Sequence, residues 1–302
     1  MKKYISLLLI IGLSLPIVAQ TKVPEMRTRK LTSMTNQEVE DYLARNDIVI
    51  IPLGPIEMHG LMPNEAEYIG PLGWSIKMAE KADAVVFPHF VFLYPGGTTI
   101  GKGTFYMSHL ESSTLLLNIC KQLVRMGFKR FFFVTGHGPA EVTFNPVIRE
   151  LYDEYGIPAI STSSIVSAAS AKVDSTVDRS KTLYGCYKIA GQLEDIPLGV
   201  VLPRQVITPE GYPAETVSGA MGARMGNIYT DPSQHSWSPD QPLTVKLREQ
   251  YAEKGVAYIE MVVAEMDFSS VLQEMNVQIA KYNEYLIPKY GDLLDFKKYK
   301  AE

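Results

Sequence analysis

The sequence predicts an α/β fold of three layers, a mostly parallel sheet with helices on both faces. Three observations predict it. The runs "DIVIIPLG" (47–54) and "FKRFFFVTG" (128–136) are continuously apolar, as strands buried on both faces are. Segments of helical character alternate with such runs at the spacing of crossover units. The chain has 302 residues, 46% hydrophobic and 21% charged, enough to build a sizeable core.

The elements follow in order. "MKKYISLLLIIGLSLPIVAQ" opens the chain, with Lys2 and Lys3 before an apolar stretch from Ile5 to Leu15. This pattern predicts a secretory signal over residues 1–20, cut near Ala19 and Gln20, and hence an exported protein, periplasmic or secreted. The stretch is short for a span of about 20 residues, and Ser14 and Pro16 interrupt it. No other segment is long and apolar enough to span a bilayer, so no membrane partner is expected after cleavage. Residues 21–302 are then expected to form a single domain.

"TNQEVEDYLARN" (35–46) reads as a helix with Thr35 as its cap and Glu38 as the capping-box partner. The first strand follows. "PLGWSIKMAEKA" (71–82) is helical and "AVVFPHFVFL" (84–93) strand-like. "SHLESSTLLLNICKQLVRMG" (108–127) is a helix that Gly127 stops. After the second buried strand, "AEVTFNPVIRELYDEYG" (140–156) is a helix that Pro146 perturbs, and "IPAISTSS" (157–164) a further strand. Residues 201–226 read as a loop leading into a small-residue helix, and "DPSQHSWSPDQP" (231–242) as a surface loop rich in turns. From about residue 243 the chain reads as a helical C-terminal extension.

The net charge is -4 with no basic run, which argues against nucleic acid as a partner. Cys120 and Cys186 have no zinc-type spacing; they either pair in an oxidising compartment or stay buried as thiols.

In open parallel sheets, ligands bind beyond the carboxyl ends of the strands. Two predicted strands end there in metal-capable side chains, the first at "GPIEMHG" (54–60), the second at "VTGHGPAE" (134–141). Glu57 and His59, two apart in an extended segment, point to the same side. His137 stands between two glycines that allow close backbone approach. Carboxylate and imidazole together suit zinc, manganese or iron. His89, in an apolar run, reads as a core histidine; His109 begins a helix; His235 lies in the surface loop. These three are left outside the expected site.

The stretches "VIIPLGPIEMHGLMPNEAEYIG" (49–70) and "RMGFKRFFFVTGHG" (125–138) resemble two motifs of the creatininase family of metal-dependent amidohydrolases. "KGT" at Lys102, Gly103 and Thr104 matches the family's Pro-Gly-Thr segment. The resemblance covers roughly residues 45–225. It implies two divalent metal ions per chain, one held by Glu57 and His137 and the other by His59, with Glu67 as the bridging acid. Glu65 is the alternative if the alignment shifts. It also implies a further acid just after the histidine; Pro139 stands there, and Glu141 is the nearest carboxylate. The third family motif is matched only by "EGYPAET" (210–216), in which Glu210 replaces a histidine and Glu215 keeps the glutamate, a candidate ligand or proton carrier. The function implied is hydrolysis of a small amide or cyclic amide by metal-activated water. Cleavage of a carbon–carbon bond in a keto-inositol type of ring is an alternative, and a non-catalytic binding protein with a decayed metal site is another. The resemblance further implies a homo-oligomer, commonly a hexamer, acting on a small molecule.

Overall fold

The computed structural model describes residues 23–199, 228, 235 and 241–295. The predicted signal at 1–20 and the third-motif residues Glu210 and Glu215 lie outside the described residues. Among the described residues no helix is long and apolar enough to cross a membrane.

Helix α1 (Asn36–Leu43) carries the expected capping box of Thr35 and Glu38. It leads into β1 (Ile48–Pro52), every residue of which is buried. Then come α2 (Ala66–Ala82), β2 (Val85–Val86), α3 (His109–Met126), β3 (Arg130–Val134), α4 (Glu141–Tyr155), β4 (Ala159–Ser161), α5 (Ser163–Ser170) and α6 (Thr182–Ala190). Further along the chain lie α7 (Val245–Glu265), α8 (Phe268–Lys281) and α9 (Ile287–Leu294). The strands form one parallel sheet in the order β2-β1-β3-β4.

The strands sort their side chains by the period of two. Ile48, Ile50, Phe132 and Val134 face a core built with α2, α6, α7 and α8. Val49, Ile51, Phe131 and Phe133 face a second core built with α1, α3 and α4. Each such side chain, fully buried, stabilises the fold by about 1.5–3 kcal/mol. This is the three-layer arrangement expected. The C-terminal helices are present, and α7 completes a layer, since Tyr251, Ala252, Tyr258, Ile259 and Val262 are part of the first core.

Several local expectations are corrected. The run 84–93 forms a regular strand only at Val85–Val86, because Pro88 has no N–H and interrupts the ladder, which a single bridge of Phe90 with Leu53 resumes. His89, expected in the core, is exposed and rests on the Tyr68 ring with centroids 4.1 Å apart. Helix α2 begins at Ala66, five residues before the expected start, and carries Pro71 inside it. Of the two courses left open for Cys120 and Cys186, the structure has the second: they are free, buried thiols, one in each core with the sheet between them.

Helices α6 and α7 touch backbone to backbone. A Cβ on Gly255 would lie 2.2 Å from the Lys181 carbonyl oxygen and 2.6 Å from the Gly185 nitrogen. Alanine favours a helix over glycine by about 1 kcal/mol, but overpacking against a rigid backbone costs about 1–3 kcal/mol or more. The clash wins. We expect Gly255→Ala to destabilise the protein by about 2 kcal/mol in urea denaturation; an unchanged midpoint would show that α6 and α7 are not in such close contact.

Candidate metal centre

In the sheet order the chain turns away from β1 on one side to β2 and on the other to β3. The carboxyl ends of β1 and β3 therefore flank the switch point where open α/β sheets bind ligands. Pro52 pairs with Val134, so both strands end at one level. The chain leaving β1 carries Glu57 and His59, and the chain leaving β3 carries His137.

Backbone bonds fix these exits. Glu57 N donates to Asn64 O at 3.0 Å and Met62 N to His59 O at 3.2 Å, closing the loop. The Thr104 hydroxyl accepts from Met58 N at 3.0 Å, so the "KGT" segment holds the loop from outside. Glu67 comes in on the first turn of α2. That approach needs glycine at position 54, where a Cβ would fall 2.1 Å from the Glu67 carbonyl oxygen. Pro71, four residues on, offers that carbonyl no helical N–H.

Four side chains meet here, and a fifth joins them. Glu57 is completely buried, His59 and His137 nearly so. Glu57 Oε1 is 3.3 Å from His137 Nδ1 and 3.3 Å from His235 Nε2. Glu67 Oε1 is 3.9 Å from both His59 Nε2 and His235 Nε2, while its Oε2 is 4.0 Å from His137 Nδ1. One ligand atom from each of Glu57, His59, Glu67 and His235 lies within 4.8 Å of the others. The His59 and His235 rings meet edge to face at 4.5 Å.

Orienting contacts surround the group. The Thr98 hydroxyl donates to Glu57 Oε2. His137 Nε2 lies 3.0 Å from the Tyr94 carbonyl oxygen, to which it can only donate, so Nδ1 is the nitrogen that faces Glu57: it donates there while the ring is protonated and would offer its lone pair to a metal once that proton is lost. Burial opposes the Glu57 charge, yet hydrogen bonds from His137 and His235 and the charge of His137 hold its pKa at about 2. Burial, reinforced by His235, depresses His59 to about 3 and leaves a neutral imidazole with a free-electron-pair nitrogen. Burial raises Glu67, with the neighbouring Glu57 charge adding to it against the pull of His137. His137 is raised, burial being outweighed by its hydrogen bond to Glu57. One buried and one half-buried carboxylate, with three imidazoles in this compass, fit a divalent zinc, manganese or iron ion, whose charge would relieve the acid–acid repulsion.

The remaining expected residues are placed as follows. Glu65, the alternative bridge, faces Gln192 at 3.3 Å instead of joining the group. Glu141 is exposed at the first residue of α4, outside the group within 4.8 Å. Glu215 lies outside the described residues. His109 is exposed at the start of α3. His235, left out on sequence grounds, is part of the cluster; a turn-rich loop carries no periodicity that would have shown where its histidine goes. The one sequence signal was indirect, the missing acid at Pro139.

A cavity of about 340 Å³ opens beside the cluster. His59 and Glu67 form one wall, Thr135 and Gly136 another, and helices α2, α5 and α6 supply the rest.

Comparison with known proteins gives a consistent picture. The family described as creatininase, creatinine amidohydrolase, matches residues 32–196. No curated protein matches the chain. A Bacteroides fragilis protein provisionally assigned as a creatinine amidohydrolase is 20% identical with a TM-score of 0.52, over 83% of this chain and 97% of that one. A tryptophan-to-phenylalanine variant of creatininase, type II, is 19% identical with a TM-score of 0.50, over 82% of this chain and 98% of that one. At such identities these likenesses establish a common fold.

Two outcomes follow from the geometry. Thr98→Val removes the hydroxyl that orients Glu57 and should weaken zinc affinity about 10–100-fold with an unchanged circular dichroism spectrum; equal affinity would mean the contact does not orient the ligand. The second concerns the metal-free protein. His59 stays neutral in the fold down to about pH 3, whereas the unfolded chain takes up a proton near 6.5. Between those values the unfolded state binds more protons, so stability falls as pH falls. Glu57 adds a loss of the same sign from 4.5 down to about 2. The contribution of His137 lies in the opposite window, complete below 6.5 and lost as pH rises above it. Glu67, raised by burial, works against this loss above pH 4.5, so the test is the difference between two proteins: from pH 6.5 to 4.5 the melting midpoint of His59→Asn should fall less, or rise more, than that of the wild type; an identical slope in the variant would contradict the assignment.

Proposed function

The chain belongs to the creatininase family of metal-dependent amidohydrolases, and from that premise we propose that it hydrolyses the C–N bond of a small amide or cyclic amide with two divalent cations. The observation that carries this reading is the placement of Glu67. One of its oxygens faces His59 and His235 and the other faces His137. A carboxylate so placed serves two positions at once. Glu57 and His137 would hold one cation, His59 and His235 the other, and Glu67 would join them. His235 then supplies the donor that Pro139 cannot.

A divalent cation in such a donor set acidifies a water molecule and polarises the carbonyl oxygen under attack. The protein's own part is to hold the donors still. Thr98 orients Glu57, the Tyr94 carbonyl fixes the His137 tautomer, and Gly54 sets the depth of Glu67. A carboxylate has to take the proton from water and pass it to the leaving nitrogen. Glu215 is the residue assigned that step; the exposed position of Glu141 suits it less. The export signal expected over residues 1–20 would place the activity outside the cytoplasm.

The test is amine release from a panel of small amides and lactams by protein reconstituted with zinc or manganese. Chelation should abolish turnover. His137→Ala should lower kcat/KM at least about 100-fold, as expected when a metal ligand or its supporting contact is lost. Glu215→Gln should lower kcat about 100–10,000-fold without loss of metal, the range for a proton-transferring group. Turnover that survives chelation would overturn the proposal.

A further inference from the structure

The cavity beside the cluster says what kind of amide could be held there. It is close to the lower end of the range for ligand pockets, roughly 300–1,000 Å³, at about 340 Å³. Among the described residues, apart from His59 and Glu67, no lysine, arginine, histidine, aspartate or glutamate lines it. Its apolar surface comes from Pro71 and Trp74 on α2, Val134 at the end of β3, Val166 on α5 and Leu183 on α6. Trp74 is held by an edge-to-face contact with Tyr258 of α7, the ring centroids being 6.3 Å apart. The polar groups are hydroxyls, among them Thr135, Thr162, Ser163 and Thr182, with the Gly136 backbone. Cys186, which also lines it, is a neutral thiol because burial pushes its pKa up to about 12.

The described residues of these walls offer no counter-charge. A carboxylate, ammonium or guanidinium group entering the cavity would lose its water and gain, among the described residues, no ionic partner beyond the metal ligands, a heavy penalty. A ring or branched chain would instead gain contact with Trp74, Val166 and Leu183. The hydroxyls can accept or donate one or two bonds to an amide. A ring covered in hydroxyl groups would leave most of them facing apolar walls.

We propose that the substrate is an uncharged amide bearing a compact apolar group, a ring or a branched chain, which fills this cavity while the amide lies against His59 and Glu67. This rests on the metal-centre reading and narrows it to a substrate class.

Hydroxamates separate the two, because they share one metal-binding head and differ in their tails. Binding of four is measured by calorimetry to zinc-loaded protein: acetohydroxamate, benzohydroxamate, the monohydroxamate of succinic acid and 6-aminohexanohydroxamate. Benzohydroxamate should bind at least about tenfold more tightly than acetohydroxamate, the scale of discrimination an apolar pocket provides. The anionic and cationic members should bind no more tightly than acetohydroxamate. Trp74→Ala should remove the benzohydroxamate gain and leave acetohydroxamate within threefold. Ser167→Asp, at an exposed position on the cavity rim, should do the same and keeps the test sound if Trp74→Ala fails to fold. A charged member that binds as tightly as benzohydroxamate would overturn the substrate class and leave the metal centre standing. Failure of all four, acetohydroxamate included, to bind zinc-loaded protein would overturn both.

Discussion

The parallel pairing of β1 with β3 is the constraint on which the site depends. Five residue pairs, from Ile48 with Arg130 to Pro52 with Val134, set the two strands level. A shift of one residue would turn every side chain to the other face of the sheet. It would also carry His137 away from Glu57, now 3.3 Å apart although eighty positions separate them in sequence. Both faces of this pair are packed, Ile50 and Phe132 on one side, Ile51 and Phe133 on the other. The cores therefore hold the register, and the register holds the site.

Charge is the second constraint. Ligand atoms of Glu57 and Glu67 lie within 4.8 Å of each other in a buried setting. Two unit charges at about 4 Å and an effective dielectric near 20 interact by roughly 4 kcal/mol. That is a sizeable share of a typical stability of about 5–15 kcal/mol. The molecule answers it in part by donors, Thr98 and two histidines on Glu57, and in part by raising Glu67. A divalent cation answers it more fully. The same positions that are awkward for a metal-free core are those suited to a metal.

Much of this was legible in the sequence, for physical reasons. β1 and β3 are continuous apolar runs, and the helix caps at Thr35 and Gly127 obey local rules. Glu57, His59 and His137 stand just past those strands, so their position follows from topology. What escaped depends on contacts made at a distance. His235 is 178 positions beyond Glu57 in the chain, and nothing in the sequence around it marks it. Glu67 is the bridging acid expected from the sequence, with Glu65 as the alternative; the close approach of Gly54 to the Glu67 carbonyl is the contact that brings Glu67 in. Helix α2 runs through Pro71 because tertiary packing overrides the local penalty. His89 follows Pro88 out of the sheet, so an apolar neighbourhood in sequence became an exposed position in space.

The central claim is that Glu57, His59, Glu67, His137 and His235 together hold divalent metal. Anomalous diffraction from crystals of zinc-loaded protein, collected on both sides of the zinc absorption edge, tests it most directly. The account predicts two peaks, one between Glu57, Glu67 and His137, the other between Glu67, His59 and His235. A density free of zinc at these side chains, or zinc bound only elsewhere on the protein, would contradict it.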